Sequence, residues 1–442
     1  MKSMTINTER LLSELHHLAT MTDCPETTDA SLPKPTQAVT RIVFTPRDIE
    51  ARAWLKGLAV EAGFSVREDA VGNTFLRWEG TEPGLAAVAT GSHTDAIPHA
   101  GMYDGTVGVL GGLEAMRSLK EAGFVPRRPL ETVMLTSEEP TRFGIGCLGS
   151  RLMGGVLEPI TADTLKDRLP DTEPGAEEGL TLREVRTRAG FTGELESVRL
   201  AQGHYDAWVE LHIEQGPLLE RDGVQLGVVT NIAAPASYRY TVEGFGGHAG
   251  ALLMPDRRDA LCAAAEMILS VERHTLAANQ VSGGVDSVAT VGTVGVHPGA
   301  VNSVPSKVML NLDIRDTDAA RREATMAAFR ADIREIEGRR GVKVVEETIN
   351  SDAPAVSSEQ IVGAIERVAD EVGASHRRMV SRAYHDSSFM ARVAPMAMIF
   401  IPCRAGVSHR PDEYATVEAI ALGTEVLAKV MAELASDLAT GA

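Results

Sequence analysis

In Gly91-Ser92-His93-Thr94-Asp95 a histidine closes the apolar run Leu85-Ala86-Ala87-Val88-Ala89. One carboxylate stands two residues on, and another follows at Asp104 in Tyr103-Asp104-Gly105. An imidazole at a strand end with nearby carboxylates offers a metal one ligand, one orienting group and one bridge. Alone, His-x-Asp reads as readily as a loop histidine held by hydrogen bonds, so the reading needs partners elsewhere. Glu138-Glu139, His212 and His385 supply them. His93, Asp104, Glu139, His212 and His385 form a nitrogen and carboxylate set without thiolate, which suits zinc, manganese or another first-row ion. A carboxylate can bridge two ions about 3.5 to 4 Å apart, so five ligands suffice for two metals if Asp104 is shared. Adjacent carboxylates then divide the work. One binds metal, and the other takes a proton from water and hands it to a leaving nitrogen, which is hydrolase chemistry. The spacing leaves open which of Glu138 and Glu139 does which, and without a metal the pair reads as a solvated acidic helix start.

The elements that must position these residues follow a strand and helix rhythm. Leu11, Leu12, Leu15 and Leu18 give a helix over 5–22, residues 23–43 read as a loop, and Thr45-Pro46 caps a helix that runs to Gly63. Strands are expected over 64–67, 73–78, 85–90 and 132–136, with a helix from Asp104-Gly105 to about 123. A polar stretch covers 161–200, and 207–212 is a strand carrying His212. From 231 the order becomes strand 238–242, helix 259–271, strands 287–296 and 307–315, helix 319–336 and strand 342–347. That is the βαββαβ order of a ferredoxin-like unit. A helix at 358–372, a strand at 396–401 and a helix at 417–434 then resume the first fold. The expectation is an α/β protein whose catalytic domain is discontinuous, 1–230 and 347–442, with an inserted ferredoxin-like domain at 231–346. Sites of such sheets gather at strand ends, where His93, Asp104, Glu138 and Glu139 all fall.

At 442 residues the chain exceeds one ordinary core, and 44% hydrophobic with 24% charged residues suits a globular protein. The balance of 43 basic against 61 acidic residues, a net −18, argues against nucleic acid and anionic membrane surfaces, which need Lys and Arg to neutralise phosphate. Cys24, Cys147, Cys262 and Cys403 show no Cys-x-x-Cys pair, and residues 1–22 lack the apolar core of a signal peptide, so a cytoplasmic location is expected.

Five stretches together carry a family resemblance: Gly-Ser-His-Thr-Asp at 91–95, Tyr-Asp-Gly at 103–105, Glu138-Glu139-Pro140-Thr141-Arg142-Phe143-Gly144, Glu210-Leu211-His212-Ile213-Glu214-Gln215-Gly216-Pro217, and Gly246-Gly247-His248-Ala249-Gly250. From about 40 to 420 the chain resembles the amidohydrolases of N-carbamoyl and ureido acids, relatives of the dinuclear metallopeptidases. Within that group, Glu139-Pro140-Thr141-Arg142-Phe143, Tyr384-His385-Asp386-Ser387 and 398–403 look most like the ureidoglycolate branch.

The resemblance implies that His93, Asp104 and His212 hold one ion and Asp104, Glu139 and His385 the other, both Mn2+ or Zn2+. It makes Glu138 the general base and acid and has Asp95 orient His93. It also implies a homodimer in which His248 reaches the partner's site to polarise the scissile carbonyl, with the inserted domain as lid and dimer surface. Asn302, Arg315, Gln215 and Tyr384 become substrate-binding candidates, while His409 is given a supporting role. Arg315 reads equally as an ion-pair partner of Asp313 or Asp316, but the fork geometry of Arg suits a substrate carboxylate. The implied reaction cleaves the carbamoyl C–N bond of a small ureido acid, above all ureidoglycolate to glyoxylate, ammonia and carbon dioxide. Allantoate and N-carbamoyl-L-amino acids or carbamoyl-β-alanine are the alternatives. An aminoacylase or peptidase is disfavoured by His212, where that branch would carry a carboxylate. A metal-binding protein without catalysis is disfavoured by the retained Glu138.

Overall fold

The computed structural model describes residues 4–24, 37–82, 84–169, 175, 179–284 and 286–436. The chain divides into two compact units, one of Met1–Thr230, Val356–Met379 and His385–Ala442, the other of Asn231–Ala355 and Val380–Tyr384.

The first unit is built on a sheet whose neighbours run Leu226–Ile232, Met396–Ile401, Tyr205–Ile213, Ala87–His93, Leu130–Leu135, Thr74–Trp78 and Ser65–Glu68. The four strands from Met396–Ile401 to Leu130–Leu135 are parallel, and the flanking pairs are antiparallel. Every residue of Ala87–His93, Leu130–Leu135 and Met396–Ile401 is buried. Strands covered on both faces read as continuous apolar runs rather than alternating ones. The helix Thr106–Glu121 packs against Ala87–His93 and Tyr205–Ile213 and is buried from Thr106 to Leu119. Gly108 permits that approach, because a Cβ there would lie 2.5 Å from the Leu211 carbonyl oxygen. Val417–Ser436 packs beside it, and Thr8–Thr20 lies outside with Leu11, Leu15 and Leu18 turned inward.

The second unit carries four antiparallel strands in the order Val288–His297, Lys307–Asp316, Ala234–Glu243, Lys343–Ser351. The helices Ala260–Ser282 and Ala319–Arg340 cover one face, closing a core around Tyr238, Tyr240, Met267, Leu310, Leu312 and Phe329. This is the βαββαβ order expected of a ferredoxin-like unit. Both helices start under an aspartate cap, Asp259 and Asp318, and stop at left-handed glycines, Gly283 and Gly341.

Several boundaries differ from expectation. The second unit continues to Ala355, past the expected end at 346, because its edge strand runs on to Ser351 through a polar, exposed stretch. It also takes back Val380–Tyr384. The helix expected to end at 271 continues to Ser282, since polar residues on an outer helix face do not stop it and Gly283 does. The expected loop over 23–43 contains the strand Val39–Arg41, paired with Ala96–Ala100, while its residues 25–36 lie outside the described ones. The polar stretch 161–200 holds the helix Leu182–Arg188, started by a Thr181 and Glu184 capping box. Leu226–Ile232 and His376–Ser381 are further strands. Among the described residues no helix is long and apolar enough to cross a membrane.

Candidate active site

The carboxyl ends of the parallel strands bring His93, Asp95, Asp104, Glu138, Glu139, His212 and His385 into the first unit, all buried except Glu138, whose side chain is partly exposed. His93 ends its strand, Glu138 and Glu139 follow the end of Leu130–Leu135, and His212 sits one residue before the end of Tyr205–Ile213. Asp104 precedes the helix Thr106–Glu121. Gly105, at φ 68°, lets the chain turn where a Cβ would stand 2.4 Å from the His93 ring.

His93 Nδ1 donates to the Asp95 carbonyl (3.0 Å) and His212 Nδ1 to the Ile213 carbonyl (2.8 Å). Each ring is thereby fixed with Nε2 facing the carboxylates, the orientation a metal ligand needs. His93 Nε2 is 3.6 Å from Asp104 Oδ1, and His212 Nε2 is 3.1 Å from the same oxygen. Donor atoms of His93, Asp104 and His212 lie within 4.8 Å of one another.

The second expected trio is different. Asp104 and Glu139 are joined by His409: His409 Nε2 is 3.2 Å from Asp104 Oδ2 and 3.2 Å from Glu139 Oε1. His385 instead packs edge-on to His212 at 4.5 Å between ring centroids and groups with Glu210 and His212. His409 thus stands beside the expected donors Asp104 and Glu139. Asp95 also changes place. Its carboxylate is 3.8 Å from His93 Nδ1 and instead accepts the backbone N–H groups of Glu138 (3.3 Å) and Glu139 (3.0 Å), so it aims the carboxylate pair.

Around Asp104 the structure adds residues that the sequence did not single out. Ser408 Oγ donates to Asp104 Oδ2 (2.9 Å), and Glu413 Oε1 accepts the backbone N–H groups of Tyr103 and Asp104 at 2.9 and 3.0 Å. Gln215, an expected substrate-binding residue at φ 53°, also donates to Asp104 Oδ2, at 2.7 Å. The dense polar run Ser408-His409-Arg410-Pro411-Asp412-Glu413, between a buried strand and the last helix, was the available signal for this part of the site. Behind the other carboxylates, Cys147 donates its S–H to Glu138 Oε1 at 3.4 Å. Glu210 accepts from Ser92 and Ser387.

The electrostatics follow from packing this many carboxylates together. Burial, with Glu139, Asp386 and Asp104 nearby, pushes Glu138 well above the usual carboxylate range against the pull of His93. Burial lowers the His93 and His212 imidazoles, yet Asp104 and its neighbours outweigh it and hold both above the ordinary value. Hydrogen bonds to Asp104 and Glu139 push His409 up to about 11. The same carboxylates that raise these imidazoles would draw a divalent cation to the cluster. The donor types, their burial and this charge excess all fit a metal.

The remaining expected site residues belong to the second unit. The short ladder Gly247–His248 with Ser303–Val304 sets His248 opposite Ser303, and the Asn302 carbonyl accepts the Ala249 N–H at 2.9 Å. His248 and Asn302 are both exposed. Arg315 Nε donates to Asp313 Oδ1 at 2.8 Å, and Tyr384 Oη to Asp352 Oδ2 at 2.9 Å.

The model of peptidase family M20/M25/M40 matches residues 89–433. The ureidoglycolate hydrolase of Oryza sativa subsp. japonica is 49% identical over 97% of this chain and 85% of its own length. The N-carbamoyl-L-amino-acid amidohydrolase of Paenarthrobacter aurescens is 38% identical over 90% and 93%. A crystal structure of AtUAH in complex with (S)-hydroxyglycine superposes with a TM-score of 0.82 at 46% identity, covering 98% of this chain and 99% of that one. The family is metal-dependent and its members here are amidohydrolases, so the chain is a hydrolase of C–N bonds. With a site of clustered histidines and carboxylates at the ends of its parallel strands, this protein belongs to peptidase family M20/M25/M40.

Proposed function

We propose that the chain hydrolyses the carbamoyl C–N bond of a small ureido acid, with ureidoglycolate as substrate. The observation that carries this reading is the separation of the two neighbouring glutamates. Glu139 faces Asp104 through His409, while Glu138 stands apart, 3.8 Å from His93 Nε2. Identity to the ureidoglycolate hydrolase supports the choice of substrate.

His93, Asp104 and His212 would hold one divalent ion, and Asp104 and Glu139 a second together with His409 or the expected His385, with Mn2+ or Zn2+ equally served by these donors. Bound divalent ions supply Lewis acidity, which polarises a carbonyl and acidifies water. Glu138 takes the proton of the attacking water at its carboxylate and passes it to the departing nitrogen. Asp95 and Cys147 hold Glu138 in place for both transfers. Carbamoyl hydrolysis releases ammonia and carbon dioxide, and the remaining hydroxyglycine decays to glyoxylate and a second ammonia.

The second unit acts as lid and dimer surface, with Asn302, Arg315 and Tyr384 binding substrate and His248 serving the partner subunit's site. A monomer at working concentration in sedimentation equilibrium would remove the His248 assignment. N-carbamoyl-L-amino acids are the second reading, favoured by the 38% identical amidohydrolase. An ammonia-release screen of the metal-loaded protein on ureidoglycolate, allantoate, carbamoyl-β-alanine and N-carbamoyl-L-amino acids tests the ranking. The highest kcat/KM is expected on ureidoglycolate, and turnover of ordinary peptides alone would overturn the ureido reading.

A further inference from the structure

On the sheet of the second unit, Val288 stands opposite Arg315 and Thr290 opposite Asp313. Side chains alternate along a strand, so these four share one face while Ala289 and Ile314 turn to the helices. The segment Val380–Tyr384 returns to this unit from far along the chain. It is tied there by the Ala233 N–H to the Ser381 carbonyl (2.8 Å), by Tyr384 Oη to Asp352 (2.9 Å) and by Arg382 Nη2 to Asp286 Oδ1 (2.9 Å). A cavity of about 420 Å³ results, lined by Val288, Ala289, Thr290, Asp313, Arg315 and Arg382.

The cavity is small, and two guanidinium groups border it. Each already has a carboxylate partner, Asp313 for Arg315 and Asp286 for Arg382, and their side chains keep 34% and 28% exposure. Asp313 shares the cavity lining with both arginines, which leaves the lining with one more cation than anion. Arg presents its donors as a planar fork that matches a carboxylate in two bonds. The Arg315–Asp313 bond is made through Nε.

We propose that Arg382 joins Arg315 in a two-arginine subsite for the carboxylate of a small acid, and that Arg382 is a specificity-determining residue for acidic over neutral ureido substrates. The proposal rests on the ureido-acid reading for its substrate, while the subsite itself rests on the cavity.

The test uses the metal-loaded full chain with Arg382→Ala and Asp286→Asn, assayed on ureidoglycolate and on its neutral methyl ester. Arg382→Ala should raise KM for the acid by at least about tenfold, leave kcat essentially unchanged and leave the ester untouched. Asp286→Asn should keep acid binding or tighten it, because the guanidinium remains and a competing carboxylate is gone. Equal loss on acid and ester, or an Asp286→Asn variant as impaired as Arg382→Ala, would make the pair purely structural and overturn the proposal. If the wild-type chain hydrolyses neither compound, the ureido reading falls by itself. Calorimetric titration of glyoxylate then decides the subsite, at least about tenfold weaker binding in Arg382→Ala supporting it and equal affinity refuting it.

Discussion

His409 is the residue whose place changes the chemistry most. It stands 3.2 Å from both Asp104 and Glu139, whereas His385 meets His212 ring to ring. His409→Ala is therefore expected to weaken divalent-ion retention by at least about tenfold and to do so more than His385→Ala, read by elemental analysis after dialysis. Equal retention in the two variants would return His409 to a supporting role. The difference explains what could be read from residues in order. His93, Asp104 and His212 stand where an apolar run ends or a glycine turn opens, so the pattern that predicts the element also exposes the ligand. His409 sits in an irregular turn at φ 58°, with no periodicity to mark it, and only the folded chain brings it to Asp104. The same holds for Arg382, whose ion-pair partner Asp286 is remote in sequence.

At the scale of elements, the site depends on how closely the helix Thr106–Glu121 lies on its strands. Gly108 faces the Leu211 carbonyl and Ser92, so Gly108→Ala should force the helix away and cost about 1–3 kcal/mol by overpacking. Gly57 lies in the helix Pro46–Glu61, and a Cβ added there would meet nothing within 4 Å, so Gly57→Ala should stabilise by roughly 0.5–1 kcal/mol through helix propensity. Denaturant unfolding measures both, and equal shifts for the two substitutions would contradict the packing account. Buried strands and capped helices were legible because their apolar runs and Ser, Thr or Asp starts are local signals, as Met396–Ile401 and the Thr45-Pro46 cap illustrate. One strand was not legible in this way. His376–Ser381 is half-exposed and carries Arg377 and Arg378, so its pattern resembles a loop until Leu226–Ile232 pairs with it.

For the whole molecule, charge separates what the surface does from what the site does. The net −18 leaves no surface case for a polyanion, yet the site itself concentrates Asp95, Asp104, Glu138 and Glu139 around three imidazoles. The order of the inserted unit could be read ahead of its boundaries, because βαββαβ is a sequence of element types, whereas Lys343–Ser351 extends through exposed Glu346, Glu347 and Thr348 that carry no apolar signal. At every scale the proposed chemistry comes down to one division of labour: Glu138 would move the proton while the histidines, Asp104 and Glu139 would hold metal. The most direct measurement is ammonia release from ureidoglycolate by metal-loaded wild-type and Glu138→Gln proteins, with metal content determined on the same samples. Equal metal content and a kcat lowered by roughly 10²–10⁴ are expected in the variant. Undiminished turnover with metal bound, or loss of metal together with activity, would contradict that division.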